Sequence, residues 1–231
     1  DAIAVDFSSG ITGSLIISGG SISDAAFAGL YAGPITGQVW ITNTDFAGNG
    51  WAGANLISER ASTDCLVPDD IPVAISLYQV DATGNTYEGI QASTTCGNIV
   101  VANSTADENG SDGFLLSSTD PNSVVIVTGS SADENGDPPQ GTGSGFLIDA
   151  DHLTMHDTSA TRNATDGVTR VGQVPTLLTG QGRIADSSPD TAQDVPADVS
   201  VLGPAGGATL PRTIVISNTS AYSNLNHGIN V

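Results

Sequence analysis

Residues 99–116 read IVVANSTADENGSDGFLL, and the same arrangement recurs seven times along this chain of 231 residues. In this stretch Val101 is an apolar anchor, Asn109 follows eight residues later, and Gly113 follows four residues after that. The anchors of repeats 1 to 7 are Ile17, Ile41, Leu77, Val101, Val127, Met155 and Ile216. Self-similarity at a spacing of about 20–50 residues is typical of stacked repeat architectures.

Each repeat predicts two short strands, because apolar residues alternate with period two on both sides of the Asn and the Gly. Residues 99–101 and 114–116 show this alternation, and no stretch carries a helical apolar period. We therefore predict an all-β single domain over residues 1–231, a right-handed parallel β-helix (β-solenoid) of about seven to eight coils. Insertions are expected at residues 57–74 and 171–213.

One row of asparagines is predicted to form a ladder, in which each amide bonds to the equivalent amide of the next coil. Asn tolerates the left-handed αL conformation, so we also expect each of these residues to form the sharp corner between strands. The Gly that follows is expected to give the backbone room to turn. A ligand-binding row is the alternative. The row is Asn49, Asn85, Asn109, Asn135, Asn163 and Asn224.

With these motifs, residues 99–116 and 214–231 (IVISNTSAYSNLNHGINV) resemble the parallel β-helix repeat superfamily. The resemblance covers about residues 15–231, with interruptions. It implies the β-helix fold and an extracellular setting near polysaccharide. That superfamily includes polysaccharide lyases, hydrolases, epimerases, tailspikes and adhesins, so the resemblance alone does not identify a function.

The charge composition restricts the partners. The chain has 25 acidic residues against 5 basic ones, and all five are arginines, which gives a formal charge of −20. Such a surface repels nucleic acid, polyuronates and anionic lipid, so we expect no nucleic-acid partner. No apolar run approaches the roughly 20 residues that cross a membrane, so no membrane span is expected.

Two cysteines and several sequons indicate an extracellular location. In the predicted fold, Cys65 and Cys96 lie on the same side of adjacent coils, so a disulfide is expected, with two free thiols as the alternative. Sequons at Asn103 and Asn218 are glycosylation candidates. The recurrence of Asn and Ser or Thr at corners also explains these sequons without any modification.

Two acidic columns lie beside the asparagine row. In the predicted register Asp107 stacks on Asp133, and Glu108 stacks on Glu134. Four carboxylates on two adjacent coils would repel each other, which a divalent cation or Arg162 of the next coil could relieve, so the hypothesis is a Ca²⁺ site. The alternative is a solvated acidic corner. Apart from this Ca²⁺, no cofactor is expected.

A third column comes one residue before the Gly and contains Glu88, Asp112, Ser144, Asp166 and His227. Carboxylates one coil apart can act as acid and base in glycoside cleavage, so Asp112, Asp166 and His227 are the candidate catalytic set. A row of polar side chains on a solvent-facing surface predicts the same residues without any chemistry. Lyases and epimerases of this fold need cationic groups to neutralise a substrate carboxylate, and this chain has no lysine, so these two reactions are not favoured.

Both ends of the printed sequence are in strand-forming register, at residues 3–7 and 229–231. Open β-helix ends are templates for further strands, so we expect head-to-tail stacking of subunits or further coils of a longer chain. The sequence thus favours a non-enzymatic extracellular structural or surface protein, a self-stacking filament or adhesin-like rod whose partners are itself and surface polysaccharide. The alternative is a carbohydrate-active or carbohydrate-binding β-helix.

Overall fold

Each sequence repeat supplies strands to two parallel sheets in a computed structural model of the chain. The structure describes residues 3–61, 65, 71–136 and 142–171, together with the backbone of six short strands further along. None of these described residues lies in an α-helix. The strands are β1 (Val5–Phe7), β2 (Leu15–Ser18), β3 (Ser21–Ser23), β4 (Leu30–Ile35), β5 (Val39–Ala47), β6 (Ala54–Ser58), β7 (Val73–Thr83), β8 (Ile90–Thr94), β9 (Asn98–Ala102), β10 (Thr105–Asp107), β11 (Phe114–Ser118), β12 (Val124–Thr128), β13 (Phe146–Asp149), β14 (His152–His156), β15 (Val168–Val171), β16 (Leu177–Leu178), β17 (Gly182–Ile184), β18 (Val195–Ala197), β19 (Thr213–Ser217), β20 (Ser220–Ala221) and β21 (Ile229–Asn230).

The two sheets interleave along the chain. Sheet A has eight strands in the order β1-β4-β6-β8-β11-β13-β15-β21. Sheet B has ten strands, with the order β16-β19-β14-β12-β9-β7-β5-β2, and β10 and β3 pair with β7 and β5. A small third sheet has the order β18-β17-β20. The predicted all-β class with parallel sheets is confirmed, and the arrangement is compatible with a β-solenoid.

The pairing of sheet B follows the anchors of the seven repeats. Ile17 pairs with Ile41, which pairs with Leu77, and the series continues through the anchors Val101, Val127, Met155 and Ile216. A slip of one residue would turn every inward side chain outward, so apolar alternation specifies this register strongly. The alignment of repeats read from the sequence is therefore the alignment of the strands.

The core is a narrow apolar layer enclosed by the strands. In strands such as β12 and β14 the inward residues are fully buried and the intervening residues are at least partly exposed. Phe114 and Phe146, which are paired in sheet A, stack inside with ring centroids 5.2 Å apart. Small residues such as Ala106 and Ala132 complete the layer near the corner. Periodic burial of this kind is the main stabilising term of the fold.

The corners correct one expectation, because the five ladder asparagines that the structure describes, Asn49 to Asn163, do not adopt positive φ. The residue immediately before each of them does so instead, as Glu108 and Glu134 do at +58°. A second αL row lies two residues after the anchors. The first row is Asp24, Gly48, Gly84, Glu108, Glu134 and Arg162; the second is Gly19, Asn43, Gln79, Asn103, Gly129 and Asp157. The Asn is required for its amide, and its neighbour makes the turn.

The insertions differ from their predicted bounds. Residues 57 and 58 belong to β6 and pair with β8, and β7 already begins at Val73, so the first insertion is shorter than residues 57–74. The second insertion, over residues 171–213, contains β16, β17 and β18. Strand β16 pairs with Thr213 and Ile214 on the far side of β19. We expected open ends of the β-helix. At these two residues that expectation is wrong, because strand β16 of the insertion pairs with the edge of sheet B.

Candidate functional site

Five of the six ladder asparagines lie in the described part of the chain, and they bond to one another in series. The Nδ2 of Asn85 donates to Asn109 Oδ1 at 2.9 Å, and Asn109 Nδ2 donates to Asn135 Oδ1 at 3.1 Å. Equivalent bonds of 2.9 Å and 3.0 Å join Asn49 to Asn85 and Asn135 to Asn163. Asn224 lies outside the described residues.

The ladder amides are fully bonded, as Asn109 illustrates. Its Nδ2 also donates to the carbonyl of Ala82 at 3.0 Å, and its Oδ1 also accepts the backbone N–H of Asn85 at 3.1 Å. The side chain is completely buried. An amide with two donors and two accepted bonds has no capacity left for a ligand. These contacts make the row a scaffold element, and they leave the sequons at Asn109 and Asn163 inaccessible to a glycan.

The glycine row is explained by close approach to this ladder. A Cβ on Gly89 would lie 2.6 Å from the carbonyl oxygen of Gly113 and 2.8 Å from Asn109 Nδ2. Because Gly89 does not have positive φ, the requirement is for space and not for a special turn conformation. The Gly of one repeat thus packs against the Asn of the following repeat, as Gly53 does against Asn85.

A second interior ladder is made of hydroxyls, and the sequence reasoning missed it. Ser104 Oγ accepts the backbone N–H of Val80 at 3.1 Å and donates to the carbonyl of Ala102 at 3.0 Å. Ser130 Oγ accepts the N–H of Ser104 in the same way. In the sequence this ladder is marked by a Ser or Thr three residues after the anchor. These residues, which are buried in the structure, are Thr44, Ser104, Ser130 and Thr158.

Three of the four acidic residues of the predicted Ca²⁺ site, Asp107, Asp133 and Glu134, have separate partners. Asp107 Oδ1 accepts the backbone N–H of Asp133 at 2.8 Å, and Asp133 Oδ1 accepts the N–H of Thr161 at 2.7 Å. Glu134 forms an ion pair with Arg162. Burial raises the pKa of Asp107, opposed by its bond from the Asp133 N–H and reinforced by the nearby charges of Asp133, Glu108 and Glu134. The two Asp carboxylates therefore join successive repeats.

Convergent metal ligands are scarce in the described part of the chain. There, the single group of three whose ligand atoms lie within 4.8 Å of one another is Cys65, Cys96 and Asp120. Both of its sulfurs are already joined in a disulfide, whose Cα atoms are 5.9 Å apart. The quartet of Asp107, Glu108, Asp133 and Glu134 does not form such a group, so Ca²⁺ binding stays a prediction.

The candidate catalytic column is stacked as predicted, but its carboxylates are unevenly spaced. The backbone bonds from Gly113 to Ser144 and from Gly145 to Asp166 place Ser144 between Asp112 and Asp166. Asp112 and Asp166 are thus two repeats apart, and Glu88 is the carboxylate one repeat from Asp112. His227 lies outside the described residues. The column therefore brings together Glu88 and Asp112, a pair that the candidate set of residues did not contain.

Asp112 is the most perturbed carboxyl of this column. Burial raises the pKa of Asp112 from 3.8 to about 6; the N–H of Ser144, 2.7 Å from Oδ1, lowers it, and the charge of Glu88 raises it. The Oε2 of Glu88 is itself buried and has no hydrogen-bond partner. Asp166 accepts the Thr169 hydroxyl at 2.8 Å. Burial and the neighbouring charge of Glu88 thus favour the protonated form of Asp112.

We expect the Asp112→Asn variant to be more stable than the parent above pH 6. Folding raises the pKa of Asp112, so the folded chain holds a proton that the unfolded chain releases between about pH 4 and 6. The parent therefore loses stability as the pH rises through this window, and the variant does not. Urea unfolding should give a difference of about 2 kcal/mol at pH 7.5, which disappears near pH 4. Asp45→Asn, at an exposed site, is the control, and equal stabilisation by both substitutions would contradict the prediction.

The structure describes one of the two glycosylation candidates. Asn103 is exposed on an αL corner, and the hydroxyl of Thr105, the third residue of its sequon, donates to Asp81 Oδ1. Asn218 lies outside the described residues. Modification at either site stays a prediction. Separately, the part of the chain that the structure describes includes no helix with the length and apolarity needed to cross a membrane.

Aromatic side chains on the outside form two groups, neither of which the sequence reasoning singled out. Phe27 and Trp51 occupy equivalent positions of repeats 1 and 2, and their rings stack with centroids 4.7 Å apart. Trp40 and Tyr78 project from the outer face of sheet B, where 47% and 42% of their surfaces are exposed. In the sequence, Trp40 and Tyr78 are recognisable as aromatic residues directly before and directly after an anchor.

Comparison with known proteins finds no matching family model, no matching curated protein and no matching solved structure. The superfamily suggested by the repeat motifs is therefore a proposal based on those motifs and on the parallel pairing of the strands.

Proposed function

We propose that the chain is an extracellular structural protein, a segment of a rigid rod with a right-handed parallel β-helix of about seven to eight coils. The observation that carries this is the buried ladder from Asn49 to Asn163, in which successive repeats are joined by side-chain amides as well as by backbone. Stacked repeats joined in this way resist bending, because every interface between neighbours must break for the stack to deform.

The recurring polar groups support a structural role. Asp107 and Asp133 are bonded to the backbone of the following repeat, and Ser104 and Ser130 to the backbone of the preceding one. Such groups maintain the register of the strands, and they are not arranged around a common centre as the groups of an active site are. In this interpretation the repeats exist to hold the rod together.

An extracellular location fits the covalent chemistry of the chain. The Cys65–Cys96 disulfide is of the kind that persists in oxidising compartments. The formal charge of −20 favours solubility, because like charges on different copies repel each other. Both features suit a protein exposed on a cell surface.

Lengthwise association of subunits completes the proposal. Strands β1 and β2 are edge strands of their sheets, and inward side chains beside them, such as Ile17 and Ile22, are only partly buried. A further layer of strands on this edge would bury these side chains and pair the free backbone groups. The added layer is a second copy of the chain or a further coil of a longer one.

Electron microscopy of the purified chain tests the proposal. We expect linear assemblies with an axial repeat of roughly 35–40 Å, the length of seven to eight strand spacings. Ile22→Asp places a charge in the edge layer and should abolish the assemblies while the circular dichroism of the folded chain is kept. Asp149→Asn is the control, since that exposed side chain lies on β13, five strands away from the edge strand β1 of sheet A. Single particles at every concentration tested would contradict the proposal.

A carbohydrate-active protein is the second candidate, and the Glu88–Asp112 pair favours it. Adjacent parallel strands are about 4.8 Å apart, close to the separation of about 5–5.5 Å between the carboxyl groups of retaining glycosidases. The raised pKa of Asp112 suits a general acid. Reducing-sugar release from neutral and acidic polysaccharides would support this function, provided that Asp112→Asn and Glu88→Gln both abolish the release.

A further inference from the structure

The outer face of sheet B carries three of the five exposed large apolar side chains of the described chain. Ile16, Trp40 and Tyr78 are exposed over 70%, 47% and 42% of their surfaces. Ile16 pairs with Trp40, and Tyr78 pairs with Thr42 on the strand that carries Trp40. The three side chains therefore lie on three neighbouring strands and form one patch.

On the side of the αL corners Asn43 and Gln79 that carries Trp40 and Tyr78, this face has no acidic residue, in a chain whose formal charge is −20. On this side of the corners, the outward positions of the five strands from β2 to β12 are occupied by apolar, hydroxyl and amide side chains, and the imidazoles of His152 and His156 follow on β14. These outward residues are Ile16, Ser18, Trp40, Thr42, Ser76, Tyr78, Asn98, Val100, Ala102, Val124, Ile126 and Thr128. The negative charge of the molecule is thus kept off a sheet face several strands wide.

Hydrogen-bonding groups border the aromatic patch. Asn43 and Gln79 are exposed in αL conformation at corners within β5 and β7, the two strands that carry Trp40 and Tyr78. On the neighbouring edge the hydroxyl of Thr42 donates to Ser18 Oγ at 3.0 Å. Exposed rings beside amides and hydroxyls can contact a ligand that has both apolar faces and hydroxyl groups.

We propose that this surface, the Trp40–Tyr78 face, binds a neutral polysaccharide. Pyranose rings present C–H faces to Trp40 and Tyr78, and their hydroxyls bond to the amides of Asn43 and Gln79. Strand spacing and rise place the two aromatic residues about 8 Å apart, so one extended glycan chain can contact both. The ring contacts recorded in the described chain involve other aromatic residues, Phe27 with Trp51 and Phe114 with Phe146.

The negative charges beside the Trp40–Tyr78 face favour a neutral polymer over an anionic glycan or a second copy of this chain. Asp45 and Asp81, which pair with each other just beyond the αL corners, lie next to the Trp40–Tyr78 face and are exposed. An anionic glycan would be repelled there, and a second copy of this chain would bring its own acidic corners against the same two carboxylates. A neutral glycan meets neither penalty.

Binding to insoluble neutral polysaccharides tests the proposal. The chain should be depleted from solution by at least one of cellulose, chitin, β-1,3-glucan, mannan or xylan, and Trp40→Ala and Tyr78→Ala should each weaken that binding about tenfold. Trp51→Ala is the matched control, because it removes an aromatic side chain from a different surface. Thermal unfolding of each variant verifies that it is folded.

Fluorescence gives an independent readout, since Trp40 and Trp51 are the two tryptophans of the chain. A soluble oligosaccharide of the bound polymer should change the emission of Trp51→Phe, in which Trp40 is the reporter, and leave that of Trp40→Phe unchanged. Lack of depletion by all five polymers, or equal losses in the Trp40 and Trp51 variants, would overturn the proposal. It would also be overturned if sedimentation showed a dimer that Trp40→Ala dissociates, because the face would then belong to a second copy.

Discussion

Replacing Asn109 by alanine is expected to lower the free energy of unfolding by about 3 kcal/mol, the cost of leaving buried amide and peptide groups without partners. The Oδ1 of Asn109 accepts hydrogen bonds from the backbone N–H and the Nδ2 of Asn85. Its Nδ2 donates to the carbonyl of Ala82 and to Asn135 Oδ1, and all of these groups lie in the interior. Alanine removes these four bonds and leaves a space too enclosed for bulk water. Chemical denaturation followed by circular dichroism measures the loss.

Asn103→Gly is the matched control for this variant. Asn103 belongs to the same repeat, but it is exposed and has φ of +50°, which glycine adopts freely. The control should change the stability by less than about 0.5 kcal/mol. Equal effects of the two substitutions would show that the ladder contributes little beyond what any corner residue contributes.

Removing the disulfide with the double variant Cys65→Ala, Cys96→Ala should cost about 3 kcal/mol. The crosslink closes a loop with a sequence separation of 31 residues, and its main effect is to restrict the unfolded chain. Thermal unfolding should show the loss in the variant without reductant. The parent should show the same loss once a reductant is added.

The double variant is also the control for the measurement with reductant. Reductant should not alter the melting temperature of the double variant, because Cys65 and Cys96 are the two cysteines of the chain. A parent protein that melts at the same temperature with and without reductant would contradict the stabilising role of the bond.

Periodic features were the part of the structure that could be predicted from sequence. The anchors from Ile17 to Ile216 align as predicted, because inward and outward residues alternate and a shifted register would expose the core. The asparagine row was visible for a related reason. A residue that bonds to its own equivalent must recur at every repeat.

The purposes of individual residues were harder to predict. We expected the ladder Asn to make the αL corner, but Glu108 and Glu134 make it, since a side chain committed to the interior leaves the turn to its exposed neighbour. Asp107 and Asp133 have the residue type of Ca²⁺ ligands. Their oxygens instead accept peptide N–H groups of the next repeat, which the composition of a corner does not reveal.

The sequence by itself determined the all-β class, the parallel pairing and the residues that face the core, because these depend on local periodicity repeated along the chain. Only the tertiary structure decided which polar groups have partners and which aromatic side chains stay uncovered. Glu88 Oε2 lacks a partner and Trp40 is half exposed because of what neighbouring strands and insertions place around them. Such surroundings are assembled from residues far apart in the chain, and no local pattern encodes them.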